Sequence, residues 1–400
     1  MALADPQLHP EGTLLDGFKV VELANYVAGP AAAGIMAEWG AEVIKVEPPG
    51  GDPLRWLRAD APGGHSPAFE IINRGKLCIE LDTNSDLGRE ALQRLVAEAD
   101  VFITNIRPAS LTKAKLDWPS LQAINPRLIY ASFTGYGLSG PDANTPAFDN
   151  AAFWARTGMA DVTRPEGSDP FSIRQGSGDH TSALAMALGI VTALLARDRG
   201  GGGRLVEASL LRTGTYVMGG EFANHVRFGE VVRTQSRDRA PNPLNNFFKS
   251  KDGRWFFCMP RAVTVDWHRI CVVAGVLDVV DDPLFATPQA RAANSAELIA
   301  RLDAGFAAMA FDDIAERLIA ADIVWSPVQD LAQLLSDPQA AAAGCFVEIE
   351  DGAGGRFPAT APPIRFDGQE TQRKRVVAKL GQHTEIILAR LGLSAARLES

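Results

Sequence analysis

Five short runs of strand-forming residues, at 18–23, 42–46, 77–81, 101–104 and 127–132, recur through the first third of the chain, with helical stretches between them. Strands that alternate with helices form a parallel sheet, because a parallel neighbour is reached only by a crossover over one face. Two helices are legible, one at 30–39 opened by Pro30 and one at 85–99. The fold class expected is α/β, with a Rossmann-like large domain. The first strand-to-helix turn reads Asn25-Tyr26-Val27-Ala28-Gly29-Pro30 and lacks the GxGxxG that lets a pyrophosphate approach the backbone. Glu47, ending the second strand, has the place of a ribose-binding acid, but without those glycines it does not make a dinucleotide site.

The texture changes after Thr213. Residues 214–246 mix glycine, proline and charge with little period, which reads as an extended connection. Lys251-Asp252-Gly253-Arg254 is a turn between strands at 245–250 and 255–259, and helices follow at 265–274, 295–309 and 311–320. The expected division is a large domain over 1–213, a linker over 214–244, a small α+β domain over 245–322, and a final part over 323–400 with a helix at 383–391. The four glycines at 200–203 read as a turn, since the Lys-Ser/Thr ending of a P-loop is missing.

A net charge of -9 argues against a nucleic-acid partner, whose footprint is basic. Cys78, Cys258, Cys271 and Cys345 have no metal-ligand spacing and read as buried thiols of a cytoplasmic protein; no metal site is expected. The first 13 residues lack a signal-peptide core. The apolar run at 181–196 is shorter than the roughly 20 residues of a membrane span and reads as a core helix, so no membrane is expected.

Just before that run stands Gly176-Ser177-Gly178-Asp179-His180. An aspartate there is a favoured N-cap, held ionised by the helix dipole. It is also suitably placed for a nucleophile, and the segment alone leaves both readings open.

Ala28-Gly29-Pro30, Gly40-Ala41-Glu42-Val43-Ile44-Lys45-Val46-Glu47 with Gly51-Asp52 and Arg55, and Asn73-Arg74-Gly75-Lys76 with Ile79-Glu80-Leu81-Asp82 form an ordered set. It continues through Asn105 with Arg107-Pro108, Gly135-Tyr136-Gly137, Gly178-Asp179, Val206-Glu207-Ala208-Ser209, Asp337-Pro338-Gln339 and Leu380-Gly381-Gln382-His383-Thr384. Along the whole chain this set resembles the class III CoA transferases, the CaiB/BaiF family, which includes formyl-CoA and carnitine CoA transferases. The resemblance implies a large domain assembled from both chain ends, a small domain between, and a homodimer of interlocked subunits. It implies Asp179 as the nucleophile that exchanges CoA between carboxylic acids, with acyl-CoA as substrate and no permanently bound cofactor. A carboxylate suits that task because covalent catalysis divides a difficult exchange into accessible steps.

The positions matching CoA contacts of the family are Asn25, Val27, Ala28, Lys76, Asn105 and Lys113, with Arg55 a further candidate whose charge suits a phosphate. Phe148, Trp154 and Tyr216, together with Phe222 and Phe247, are candidates for an apolar acyl pocket or for core. Racemase relatives carry a histidine where this chain reads Ala147-Phe148-Asp149, and phenylalanine cannot accept a proton. Asp149 itself reads as a turn or helix-start residue. A silent acyl-CoA-binding protein would require Asp179 to be replaced. The glycine lid of oxalate-active relatives is missing from 225–246, while Asn242-Pro243-Leu244 and the 249–253 turn are similar to members acting on larger acids.

Overall fold

The computed structural model describes residues 13–58, 64, 66–231, 233–261, 263–350, 355–367 and 376–393. The segment 1–12, read above as lacking a signal core, lies outside the described residues. In chain order the first half runs β1 (Lys19–Leu23), α1 (Ala28–Glu38), β2 (Glu42–Glu47), α2 (Pro53–Trp56), α3 (Pro67–Asn73), β3 (Leu77–Glu80), α4 (Asp86–Ala97), β4 (Val101–Thr104), α5 (Pro108–Ala114), α6 (Trp118–Ile124) and β5 (Ile129–Thr134). A π-helix (Asn150–Ala155) follows, then α7 (Met159–Thr163), α8 (Ser177–Asp198), β6 (Arg204–Ser209), α9 (Leu210–Val217) and α10 (Gly219–Phe228). Local signals set many of these starts. Ser85 caps α4 by accepting the Gly88 amide at 3.0 Å, and prolines open α2, α3, α5 and α6.

The six strands are parallel, in the order β3-β2-β1-β4-β5-β6. The order reverses between β1 and β4, which makes the carboxyl ends of those two strands the crevice where ligands bind in open α/β sheets. Val21, Ile44, Phe102 and Tyr130 pack with Leu92 and Leu95 of α4 and Leu121 of α6 in one core. Their strand neighbours Glu22 and Lys45 point to the opposite face, on the side of α1. That helix is made of Ala28-Gly29-Pro30-Ala31-Ala32-Ala33-Gly34 and is buried on nearly every side, because small residues let backbones approach closely. A Cβ on Gly34 would lie 2.5 Å from the Ile72 carbonyl oxygen.

Three expectations are corrected here. Helix α8 begins four residues before the apolar run and is 22 residues long, apolar enough by length and composition to cross a membrane, so the length argument fails. Its setting is that of a crossover helix between β5 and β6, packed against both strands, α1 and α9. The connection expected after Thr213 is helical as far as Phe228, and of its glycines Gly214 marks close packing: a Cβ there would meet Thr157 Cγ2 at 2.7 Å. Cys345 is exposed, whereas Cys78, Cys258 and Cys271 are buried.

The chain divides into one unit of 1–160, 172–230 and 342–400 and a second of 161–171 and 231–341. The second unit thus takes in 161–171 and runs from 231 to 341, where the sequence reading places a linker over 214–244 and a small domain over 245–322. The reason at the later boundary is β9 (Val324–Pro327), which pairs antiparallel with β8 (Trp255–Met259), itself paired with β7 (Asn246–Lys249). The second unit packs Phe248, Phe256, Phe306 and Phe311 between this sheet and α11 (Val263–Ala274), α13 (Ser295–Ala307) and α14 (Phe311–Ala320), with α12 (Pro288–Ala293) between α11 and α13 in sequence. Two short helices, α15 (Leu331–Leu335) and α16 (Pro338–Ala342), lead back to the first unit. There β10 (Phe346–Glu350) and β11 (Arg356–Thr360) form a hairpin, and α17 (Thr384–Arg390) covers the free edge of β3. The Cys78 amide donates to His383 Nδ1 at 3.0 Å and the Glu80 amide to Thr384 Oγ1 at 2.9 Å.

Candidate active site

Asn25 and Asn105 stand at the ends of β1 and β4, on the two sides of the crevice, and bind each other. The Asn25 amide donates to Asn105 Oδ1 at 3.0 Å, and Asn105 Nδ2 donates to the Asn25 carbonyl at 2.6 Å. Asn105 thus fixes the loop that carries Asn25, Val27 and Ala28. Tyr26, between them, has a φ of 62°, a left-handed conformation disfavoured for an aromatic residue, and its amide donates to Asp52 Oδ1 at 3.1 Å.

Beneath this loop lies a buried group of charges. Lys45 Nζ donates to Glu22 Oε1 at 2.7 Å, to Asp52 Oδ2 at 2.9 Å and to the Ala24 carbonyl at 2.9 Å. Lys76 Nζ donates to Glu22 Oε2 at 2.7 Å, Asn73 Oδ1 at 2.8 Å and the Pro30 carbonyl at 2.7 Å. Arg55 forks onto Glu47 at 2.6 and 3.1 Å and gives its remaining nitrogen to the Ala378 carbonyl at 2.9 Å. Burial lowers the proton affinity of Lys45, but Glu22 and Asp52 overcome it and hold the ammonium above its ordinary range. For Lys76 burial wins over Glu22, with Lys45 adding repulsion, and its pKa falls to about 8. Two expected CoA contacts are therefore corrected: Arg55 and Lys76 are enclosed, with their donors used internally, and offer no free cation to a phosphate. Glu47 is likewise engaged with Arg55. Lys113, on α5, is exposed.

The nucleophile candidate is built by a second set of contacts. Gly176, with a φ of 87°, turns the chain into α8 and is the helix N-cap, so Asp179 is the third residue of the first turn and not the cap. The Gly176 amide donates to Asp149 Oδ2 at 2.7 Å, and the other oxygen of Asp149 takes the Asn150 amide at 2.8 Å. Asp149 is a buried helix-start residue, as its sequence context predicts. A Cβ on Gly178 would lie 2.6 Å from the Phe153 ring, so only glycine lets the first turn of α8 approach the π-helix this closely.

Asp179 is half-buried, and no donor among the described residues reaches its carboxylate. Burial, with Asp149 adding like-charge repulsion, pushes its pKa up to about 7. Desolvation outweighs the helix dipole, contrary to the expectation that the helix start keeps it fully ionised. Phe148 is exposed and sets its ring edge-on to Tyr26, with centroids 5.4 Å apart, joining the β1–α1 loop to the Asp149 turn. Trp154 is buried core, and Tyr216 stands 86% exposed on α9, so neither forms an enclosed pocket wall with Phe148.

The buried charges escaped the sequence reading, although a signal was present. Strands covered on both faces are expected to be continuously apolar, and Glu22, Lys45 and Glu47 interrupt that pattern.

Comparison with known proteins gives a consistent picture. The family model described as CoA-transferase family III matches residues 15–384. The chain is 30% identical over 391 residues to the (R)-2-hydroxy-4-methylpentanoate CoA-transferase of Clostridioides difficile, covering 97% of this chain and 98% of that one. It is 31% identical to a formyl-CoA:oxalate CoA-transferase of Rhodopseudomonas palustris, covering 94% of this chain and 92% of the relative. The crystal structure of a CaiB/BaiF family protein from Brucella suis superposes with a TM-score of 0.84 at 32% identity, over 95% of this chain and 99% of that one. With the matched residues running from before β1 to the start of α17, the chain belongs to CoA-transferase family III.

Proposed function

We propose that this transferase moves CoA from an acyl-CoA thioester to a free carboxylic acid through covalent intermediates on Asp179, without a permanently bound cofactor. The observation that carries the reading is the half-buried Asp179 carboxylate at the carboxyl edge of the sheet, without a partner among the described residues. A desolvated carboxylate of raised basicity is a stronger nucleophile than one in water. Asp179 attacks the thioester carbonyl, forming a mixed anhydride and releasing CoA thiolate. The thiolate attacks the aspartyl carbonyl, releasing the first acid and leaving an aspartyl-CoA thioester. The second acid's carboxylate displaces the thiolate to form a new anhydride, and the thiolate takes the new acyl group and frees Asp179. The racemase reading lacks its base, since Phe148 stands in the histidine's place.

For CoA, the reading retains the loop of Asn25, Val27 and Ala28, with Asn105 fixing it and Lys113 as the exposed cation. The acids proposed are larger than oxalate, because no glycine lid occurs between 225 and 246. Three buried free thiols fit a cytoplasmic setting. The test is to incubate the protein with panels of acyl-CoA donors and free acids and read new thioesters by mass spectrometry. A new thioester is expected only when donor and acid are both present. Absence of product from every pair, with folded protein, overturns the reading.

The pH dependence follows from Asp179. Attack needs the ionised form, so the transfer rate at saturating donor rises with pH through about 7, changing roughly tenfold per unit well below it. Asp149→Asn removes the neighbouring charge and moves this limb to lower pH. A limb that stays in place in that variant argues against electrostatic coupling between the two carboxylates.

We also propose a homodimer. Helix α10 has no buried residue, although it carries Phe222, Val226 and Phe228, and α8 exposes Leu184, Leu188 and Leu195. Apolar faces of this extent suit coverage by a second copy. Interlocked subunits do not exchange without unfolding, so mixing two tagged preparations is expected to give no hybrid dimers by native mass spectrometry. Hybrids forming within minutes count against interlocking.

A further inference from the structure

We infer that Tyr26 and Phe148 form an aromatic pair that selects the acyl group, favouring aryl and bulky apolar acids over short ones. This rests on the transferase reading above and deepens it to a substrate class. The two rings are 42% and 60% exposed, yet they are ordered against each other, edge to face at 5.4 Å. They come from segments more than a hundred residues apart, and each is anchored on a different half of the site. Phe148 immediately precedes Asp149, whose buried carboxylate holds Gly176 three residues before Asp179. Tyr26 stands in the crevice loop between Asn25 and Val27. The pair therefore joins the proposed CoA loop to the residue whose neighbour holds the nucleophile's turn, and the inference places the acyl end of the thioester against it.

The backbone of Tyr26 supports a functional placement. A left-handed residue is least costly as glycine or asparagine, and here it is tyrosine, held in that conformation by its neighbours. Asp52 takes its amide, Asn105 clamps Asn25 on one side, and Lys45 fixes both Asp52 and the Ala24 carbonyl from below. Two uncharged rings offer apolar area and π faces. An arene or branched alkyl chain gains from both, and a short acyl group reaches little of either.

The experiment compares phenylpropanoyl-CoA with acetyl-CoA as donors to one acceptor acid, in the wild type, Tyr26→Gly and Phe148→Ala. Glycine retains the left-handed backbone while removing the ring. In each variant kcat/KM for the aryl donor is expected to fall about tenfold more than for acetyl-CoA. Equal losses on both donors, or an unchanged ratio, overturn the inference. Calorimetric binding of a phenylpropanoyl-CoA thioether against CoA itself reads the same preference without turnover. If the wild type transfers from no donor, the transferase reading fails, while this binding preference and its loss in the variants still decide the role of the pair.

Discussion

Asp179→Ala is expected to abolish CoA transfer, by at least about four orders of magnitude, in a protein that stays folded. The structure separates the two effects. Asp179 is not the cap of α8, and no described donor depends on its carboxylate, so its removal breaks no hydrogen bond among the described residues. Its proton linkage points the same way. A carboxyl whose folded pKa is raised to about 7, against an ordinary 3.8, stabilises the fold below pH 3.8, and that contribution is lost as pH rises through 7. Above pH 7 the alanine variant is therefore expected to melt no lower than the wild type. A second readout addresses the covalent route: hydroxylamine with acyl-CoA present inactivates the wild type by capturing the aspartyl thioester. Measurable turnover in a folded Asp179→Ala variant would remove this residue from the mechanism.

Lys45→Met is expected to lower stability by roughly 3–5 kcal/mol, the range for breaking a buried ion pair by removing one partner. Methionine has the length of the lysine stem but leaves Glu22 with one of its two cations, and Asp52 loses its own entirely. Both carboxylates have fully buried side chains, so water cannot replace the lost donor without opening the sheet face. The effect reaches the site as well, because the same ammonium holds the Ala24 carbonyl and the carboxylate that receives the Tyr26 amide. Urea unfolding followed by circular dichroism gives the stability change, and the KM for acyl-CoA gives the effect on the loop. A loss below about 1 kcal/mol would show that the network relaxes around the vacancy and does not act as one unit.

How far the sequence reveals this molecule depends on the kind of force involved. The strands at 101–104 and 255–259 and the helix at 311–320 are read to the residue, because alternation and amphipathic period are local properties. The start of α8 is misread by four residues, since Gly176-Ser177-Gly178 looks like a loop until Phe153 is seen to require a glycine at 178. For α9 and α10, the glycines suggest an irregular connection although the backbone is helical. Asp179 is singled out as a candidate by ordered segments scattered along the chain. Its elevated proton affinity is not legible, because that depends first on burial in the folded chain and then on Asp149, thirty residues earlier in sequence. Lys76 and Arg55 look like ligands because a charge in a motif suggests a surface; nothing local reports that three acceptors surround each of them.

The covering of β3 by α17 bears on how the chain is synthesised. The residues that take the Cys78 and Glu80 amides leave the ribosome about 300 residues after them, once the whole second unit has emerged. Until then β3 is an open edge on a parallel sheet, the kind of surface along which nascent chains join one another. Domain-by-domain completion in order of synthesis is thus closed to the first unit. Its final docking step has a high contact order, and a nascent chain stalled before His383 presents an unprotected strand to its neighbours.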